Sequence, residues 1–125
     1  MSRDRINILL VDDEEVLVDL LREILEDHGY EVRALTSSTE ALRIFSDDPK
    51  SFDIVVLDEK MPEMLGTDLA EEILQVRPDV PVILYTDYPE VSSAKKALTI
   101  GVRTILQKSS RMEELVVYIR RLMES

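Results

Sequence analysis

Three carboxylates, a hydroxyl and an ammonium stand at the ends of predicted strands in this chain. Asp12 and Asp13 follow Ile6-Asn7-Ile8-Leu9-Leu10-Val11, and Asp58 follows Ile54-Val55-Val56-Leu57. Thr86 closes Pro81–Thr86, and Lys108 follows Arg103–Gln107. Carboxylates held close together repel, and at least one should protonate unless a cation is present. Oxygen-only ligands on a shallow, wet surface favour Mg²⁺ (or Mn²⁺), which keeps several waters and readily holds a phosphate oxygen. A carboxylate beside such an ion, with a hydroxyl and an ammonium nearby, can accept a phosphoryl group. Asp58 would attack the phosphorus, the metal and Lys108 would offset charge, and Thr86 would donate a hydrogen bond. Each signal is weak alone: Asp58 could equally begin a turn, and a hydroxyl ending a strand is usually structural.

The stretch Asp53–Pro62 organises the elements that must position these groups. Ile54 to Leu57 is four apolar residues, two of them Val, and reads as a strand buried on both faces. Met61-Pro62 forbids its continuation, because Pro lacks the N–H that a central ladder needs. Before it, Glu14 to His28 carries Val16, Leu17, Leu20, Leu21, Ile24 and Leu25, the stripe of an amphipathic helix that Gly29 ends in the left-handed region. Tyr30–Leu35 alternates like a strand near an edge, and Ser37 and Glu40 form a capping box for a helix through Ala41, Leu42, Ile44 and Phe45. Gly66 and Thr67 open a third helix with Leu69, Ala70, Ile73 and Leu74 inward, ended by Pro78. A fourth helix runs from Val91 to Ile100 and stops at Gly101, and Ser110-x-x-Glu113 caps a last one along Leu115, Ile119 and Leu122.

Strands separated by helices pair in parallel through right-handed crossovers. The expectation is therefore an α/β domain with a doubly wound five-stranded parallel sheet, order 2-1-3-4-5, and five helices. That order sets the first strand beside the third, and such sheets collect their chemistry beyond the carboxyl ends of the strands. Residues 1–125 form one domain, with no linker, low-complexity segment or repeat beyond the alternation. The absence of Cys excludes disulfides and thiolate metal sites. A net charge of -11 argues against nucleic acid and anionic lipid as partners and permits a cation or a basic protein surface. Ile6–Val11 is too short for a signal-peptide core or a membrane span, so a cytoplasmic location is expected. Lone His28 reads as a surface residue.

Taken together, Leu10-Val11-Asp12-Asp13-Glu14, Val56-Leu57-Asp58 with Met61-Pro62 and Gly66, Val82–Thr86, and Lys108 after Gly101 resemble the receiver domains of two-component response regulators. The resemblance covers nearly the whole chain. It implies that Asp58 takes a phosphoryl group from a sensor histidine kinase, a phosphotransfer protein or a small phosphodonor. It implies Mg²⁺ held directly by Asp13, Asp58 and the backbone carbonyl of Lys60, with Asp12 acting through water. It also implies that phosphorylation rearranges the face made by the fourth helix, fifth strand and fifth helix, for a downstream target or output domain. Such a protein is a switch with at most self-phosphorylation and self-dephosphorylation chemistry, not an enzyme with turnover.

Three positions depart from the family pattern. Asp87 follows Thr86 where a small residue is usual, so a carboxylate there would crowd the phosphoryl group or shape water access; a plain solvated loop residue fits equally. Ile105 stands where an aromatic switch partner of Thr86 is common, with Tyr85 or Tyr88 as possible substitutes. Ser109 replaces a Pro whose preceding bond is commonly cis; without Pro, trans is favoured by about 2.5–4 kcal/mol. Lys60, at a variable position, is expected to tune hydrolysis. These departures support an alternative, a receiver-like protein-interaction module that ignores phosphorylation. A haloacid-dehalogenase-type hydrolase would want an Asp where Lys60 stands, and a flavodoxin would not place Asp12-Asp13-Glu14-Glu15 against a phosphate.

Overall fold

The computed structural model describes residues 5–87, 90–108 and 112–124. Tyr88, Ser109 and Ser110, and with them the expectations for Tyr88 as a substitute switch residue, the loop bond and the last cap, lie outside those residues.

Strands β1 (Asn7–Val11), β2 (Glu31–Leu35), β3 (Ile54–Leu57), β4 (Val82–Thr86) and β5 (Thr104–Gln107) alternate with helices α1 (Glu15–Asp27), α2 (Ser38–Asp47), α3 (Gly66–Val76), α4 (Val91–Ile100) and α5 (Met112–Glu124). The sheet is parallel throughout with strand order β2-β1-β3-β4-β5. This is the doubly wound architecture expected from the alternation. A short 3-10 turn, Pro49–Ser51, precedes β3.

Strand alternation divides the core into two layers. Leu9, Val11, Val55, Leu57, Val82 and Leu84 face α2, α3 and α4, meeting Ala41, Phe45, Leu69, Ile73 and Ala97. Ile8, Leu10, Ile54, Val56, Ile83 and Tyr85 face the other way, against Val18, Leu21 and Leu25 of α1 and Leu115, Val116 and Ile119 of α5. Every residue of β3 is buried, whereas β2 alternates as an edge strand should.

The helix ends follow their sequence signals. Ser37 accepts the Glu40 N–H at 3.2 Å, as its capping position requires. Gly29 and Gly101 take φ of +94° and +110°, the left-handed region that ends helices. His28 is exposed, its Nδ1 2.9 Å from the Ile24 carbonyl. The apolar stripe of α1 is rotated from the expected one. Val16 is 83% exposed and Leu20 44%, and Val18 takes the buried place with Leu21 and Leu25. Val18, Leu21 and Leu25 satisfy the same three- and four-residue spacing, and the sheet selects that row because it faces Ile8 and Leu10.

Candidate functional site

Register brings the acidic residues together. Val11 pairs with Leu57, so the residues after them, Asp12 and Asp58, emerge side by side where the central strands end. Backbone bonds fix both: the Asp58 N–H donates to Val11 O at 2.9 Å and the Asp12 N–H to Leu35 O at 3.1 Å. On the other side, the Lys108 N–H donates to Thr86 O at 2.8 Å, anchoring the end of β5 to that of β4.

The Lys108 ammonium then reaches across the sheet edge. Its Nζ lies 2.6 Å from Asp12 Oδ2, 3.2 Å from Glu14 Oε1 and 3.4 Å from Asp58 Oδ1. Lys108, Asp12 and Asp58 side chains are at most 7% exposed. Burial disfavours the Asp58 carboxylate and the neighbouring Asp12 charge repels it; despite Lys108, its pKa rises from 3.8 to about 6. Burial raises Asp12 as well, with Lys108 opposing. For Lys108 itself burial works against the charge, but the hydrogen bond and charge of Asp12, then Asp58 and Glu14, outweigh it and hold the ammonium above its usual range.

In front of this cluster lies a cavity of about 370 Å³ lined by Asp13, Glu14, Asp58, Lys60, Thr86 and Asp87. Five sequence-predicted residues thus share one cavity wall, with Asp12 and Lys108 against Asp58. Thr86 is buried, and Asp87 is exposed with its carbonyl accepting a 3.1 Å bond from the Gln107 side chain. Ile105 lies elsewhere. It pairs with Leu84 and packs against the core layer of α2, α3 and α4.

Two residues were not singled out by the sequence. Glu14 reads there as one member of an acidic run, yet its N–H is held by Asp12 Oδ1 at 3.0 Å and its carboxylate shares Lys108. Carboxylate oxygens of Asp12, Glu14 and Asp58 all lie within 4.8 Å of one another, close enough for one cation, while Asp13 is exposed on the cavity wall. Glu59 is buried directly after Asp58, and its carboxylate accepts from Thr67 N at 2.7 Å and Thr67 Oγ1 at 3.1 Å. Nothing in the spacing of residues 59 and 67 announces that bond.

Residues 8–120 match the family model of the response regulator receiver domain. The chain belongs to that family. This receiver is 36% identical over 117 residues to the response regulator SaeR of Staphylococcus aureus, covering 94% of this chain and 50% of that protein. The chain therefore spans about half the length of the curated relatives it matches. It is 34% identical to the crystal structure of a response regulator receiver domain protein from Clostridium thermocellum, with a TM-score of 0.87 and coverage of 93% and 92% of the two chains. A response regulator from Burkholderia pseudomallei, solved with a phosphorylated aspartic acid, a calcium ion and citrate, is 27% identical with a TM-score of 0.81, covering 89% of this receiver and 64% of that chain. Among the described residues, no helix is long and apolar enough to cross a membrane.

Proposed function

We propose that this receiver is a phosphoryl-accepting switch of a two-component relay, with Asp58 as the acceptor. The observation that carries the reading is the buried contact set of Asp58, Asp12 and Lys108 behind a cavity open to Asp13 and Thr86. A carboxylate oxygen of Asp58 attacks phosphorus, and an acyl phosphate O–P bond forms. The P–N bond of a phosphohistidine, or the P–O bond of a small donor, breaks, and its electron pair leaves with the donor. Lys108 offers charge to the phosphoryl oxygens, and Thr86 donates a hydrogen bond to them. The donor is a sensor histidine kinase or a phosphotransfer protein, acting in the cytoplasm. The result is a change of state, not turnover of a small substrate.

The residues fit a divalent cation. The donors are all oxygen, the Asp12, Glu14 and Asp58 carboxylates lie within 4.8 Å of one another with Asp13 on the wall of the same cavity, and Asp58 carries a cost of charge that a cation would relieve. Asp13, Asp58 and the Lys60 carbonyl would hold Mg²⁺ or Mn²⁺, with Asp12 through water. When bound, such an ion neutralises charge developing on phosphoryl oxygens. Without it, Lys108 offsets the carboxylates.

The switch follows from competition for Lys108. In the unphosphorylated receiver its ammonium is shared by three carboxylates, and a phosphoryl group on Asp58 adds a stronger acceptor beside it. Moving Thr86 and Lys108 toward that group biases the ends of β4 and β5 and the adjoining face of α4, β5 and α5. Differential contacts of about 1–3 kcal/mol suffice for a useful population shift. Incubation with Mg²⁺ and a small phosphodonor, read by intact mass, tests the reading. One phosphoryl adduct on the parent chain and none on Asp58→Ala is the expected result. An adduct that survives the substitution removes Asp58 from the role. No adduct on the parent favours a phosphorylation-independent interaction module, the reading that Asp87, Ile105 and Ser109 motivate.

A further inference from the structure

The loop that follows Asp58 is fastened by its own acidic side chains to two helix N-termini. Helix α3 begins after Leu65, whose side chain offers no cap. Glu59 supplies the missing acceptors from outside the helix: its carbonyl takes the Gly66 N–H at 2.8 Å, and its carboxylate takes the Thr67 N–H and hydroxyl. Gly66 lies so close to the Asp58 carbonyl oxygen that a Cβ would overlap it. Four residues beyond Glu59, the Glu63 carboxylate accepts Ser37 Oγ at 2.7 Å and Thr39 Oγ1 at 3.2 Å on the first turn of α2. Hydrogen bonds from Ser37, and from Thr39 and the α2 backbone, lower its pKa. Met61, between the two, is buried in the core.

Lys60 therefore hangs between two buried side chains, Glu59 and Met61, while its own side chain is exposed and pairs with Glu90 at 3.6 Å. Anchoring the chain on both sides of Lys60 restricts where its carbonyl can point. We infer that Glu59 is a positioning residue for the divalent cation: by capping α3 from the residue after Asp58, it holds the Lys60 backbone carbonyl in place before the ion arrives. Partners one step behind a metal ligand commonly change affinity about 10-fold when removed, because the ligand must otherwise be ordered at the moment of binding. The inference rests on the cation reading above.

Glu59 also carries charge near the ion, so the test must separate charge from geometry. The free Mn²⁺ concentration in titrations of the intact chain, read by electron paramagnetic resonance, gives the affinity directly and needs no phosphorylation. Glu59→Ala is expected to weaken Mn²⁺ by about 10-fold. Glu59→Gln, which removes the charge, keeps one acceptor for the Thr67 N–H and turns the other contact into an amide donor facing Thr67 Oγ1, is expected to stay within about twofold of the parent, and Thr67→Val, which keeps every charge, to weaken binding about twofold. Equal losses in Glu59→Ala and Glu59→Gln overturn the inference, because the acid would then act by charge alone. Unchanged affinity in Glu59→Ala overturns it as well; if that variant does not fold, unchanged affinity in Thr67→Val does so. A parent chain that binds no Mn²⁺ fails differently, sinking the cation reading and this inference with it.

Discussion

Neutralising Asp58 should make the metal-free receiver more stable, although it destroys the proposed acceptor. Burial and the Asp12 charge raise the Asp58 pKa from 3.8 to about 6. A raised carboxyl pKa means that folding favours the protonated form. The associated stability is fully present below pH 3.8 and is lost as pH rises through about 6. At 1.36 kcal/mol for each tenfold change in proton affinity, the ionised group costs the folded state about 3 kcal/mol. Asp58→Asn keeps the shape and removes that cost. The side chain is 7% exposed, so solvent screening takes away little of it. At about 2.1 cal/mol/K of unfolding entropy per residue, 125 residues convert this to a rise in Tm of about 10 °C. The assay is thermal unfolding followed by circular dichroism, in EDTA, from pH 4 to pH 8. The expected difference between variant and parent is near zero at the acid end, grows through about pH 6 and then levels. Saturating Mg²⁺ narrows it, because the parent, with Asp58 as a ligand, gains more binding energy from the ion than the variant does. A variant less stable than the parent at neutral pH in EDTA, or a difference that ignores pH across this range, would refute the reasoning.

Removing the other side of the cluster should act in the opposite direction. Lys108→Met leaves Asp12 and Asp58 buried without their cation and should lower stability in EDTA by about 3–5 kcal/mol near neutral pH, measured by urea unfolding, with partial recovery in Mg²⁺. Gly66→Ala places a methyl group against the Asp58 carbonyl oxygen and should cost about 3 kcal/mol in the same assay, since the contact is backbone and cannot swing away. Phe45→Ala empties a fully buried position stacked on Phe52 at 6.0 Å between centroids and should cost about 3–5 kcal/mol without changing Mn²⁺ affinity. Lys60→Ala should alter the lifetime of the phosphoryl group while leaving the urea midpoint unchanged, because its side chain is exposed at the cavity wall; identical lifetimes would dismiss a role in hydrolysis.

The fold was legible because its signals are local. Ile54–Leu57 is a short apolar run without alternation, closed by Met61-Pro62, which fits a strand covered on both faces. Parallel pairing followed from the alternation, and the flavodoxin-like order 2-1-3-4-5 taken with it brings Asp12, Asp58 and Lys108 to one edge. What could not be read is what depends on rotation or on distant pairing. Val16 and Val18 are equally apolar, and only contact with Ile8 and Leu10 decides which of the two faces the sheet. Glu14 and Glu59 look like ordinary surface acids in sequence. Their placement depends on the reach of Lys108 from a strand 94 residues away and on the approach of α3 to the Asp58 backbone.

The same two acids suggest why the site tolerates so much negative charge. A buried carboxylate is costly unless something fixed opposes it. Glu59 is answered by the N-terminus of α3, and Asp12 and Asp58 by one shared ammonium. Asp58 is the least well answered of the three, since Lys108 stands 3.4 Å from it but 2.6 Å from Asp12. The least compensated charge therefore falls on Asp58, the one of these three that lines the cavity. A cation or an electrophilic phosphorus entering there meets the group with most to gain from it. Lys108 can turn toward a new acceptor on Asp58 while Asp12 keeps part of its compensation through the Glu14 N–H. The proposed acceptor is thus set apart from the other acids by unequal sharing of a single lysine, and Glu14→Gln, which removes one competitor for that lysine, should shift Lys108 toward Asp58, so that the Asp58→Asn stability difference in thermal unfolding still begins near pH 3.8 but levels at a lower pH and a smaller plateau.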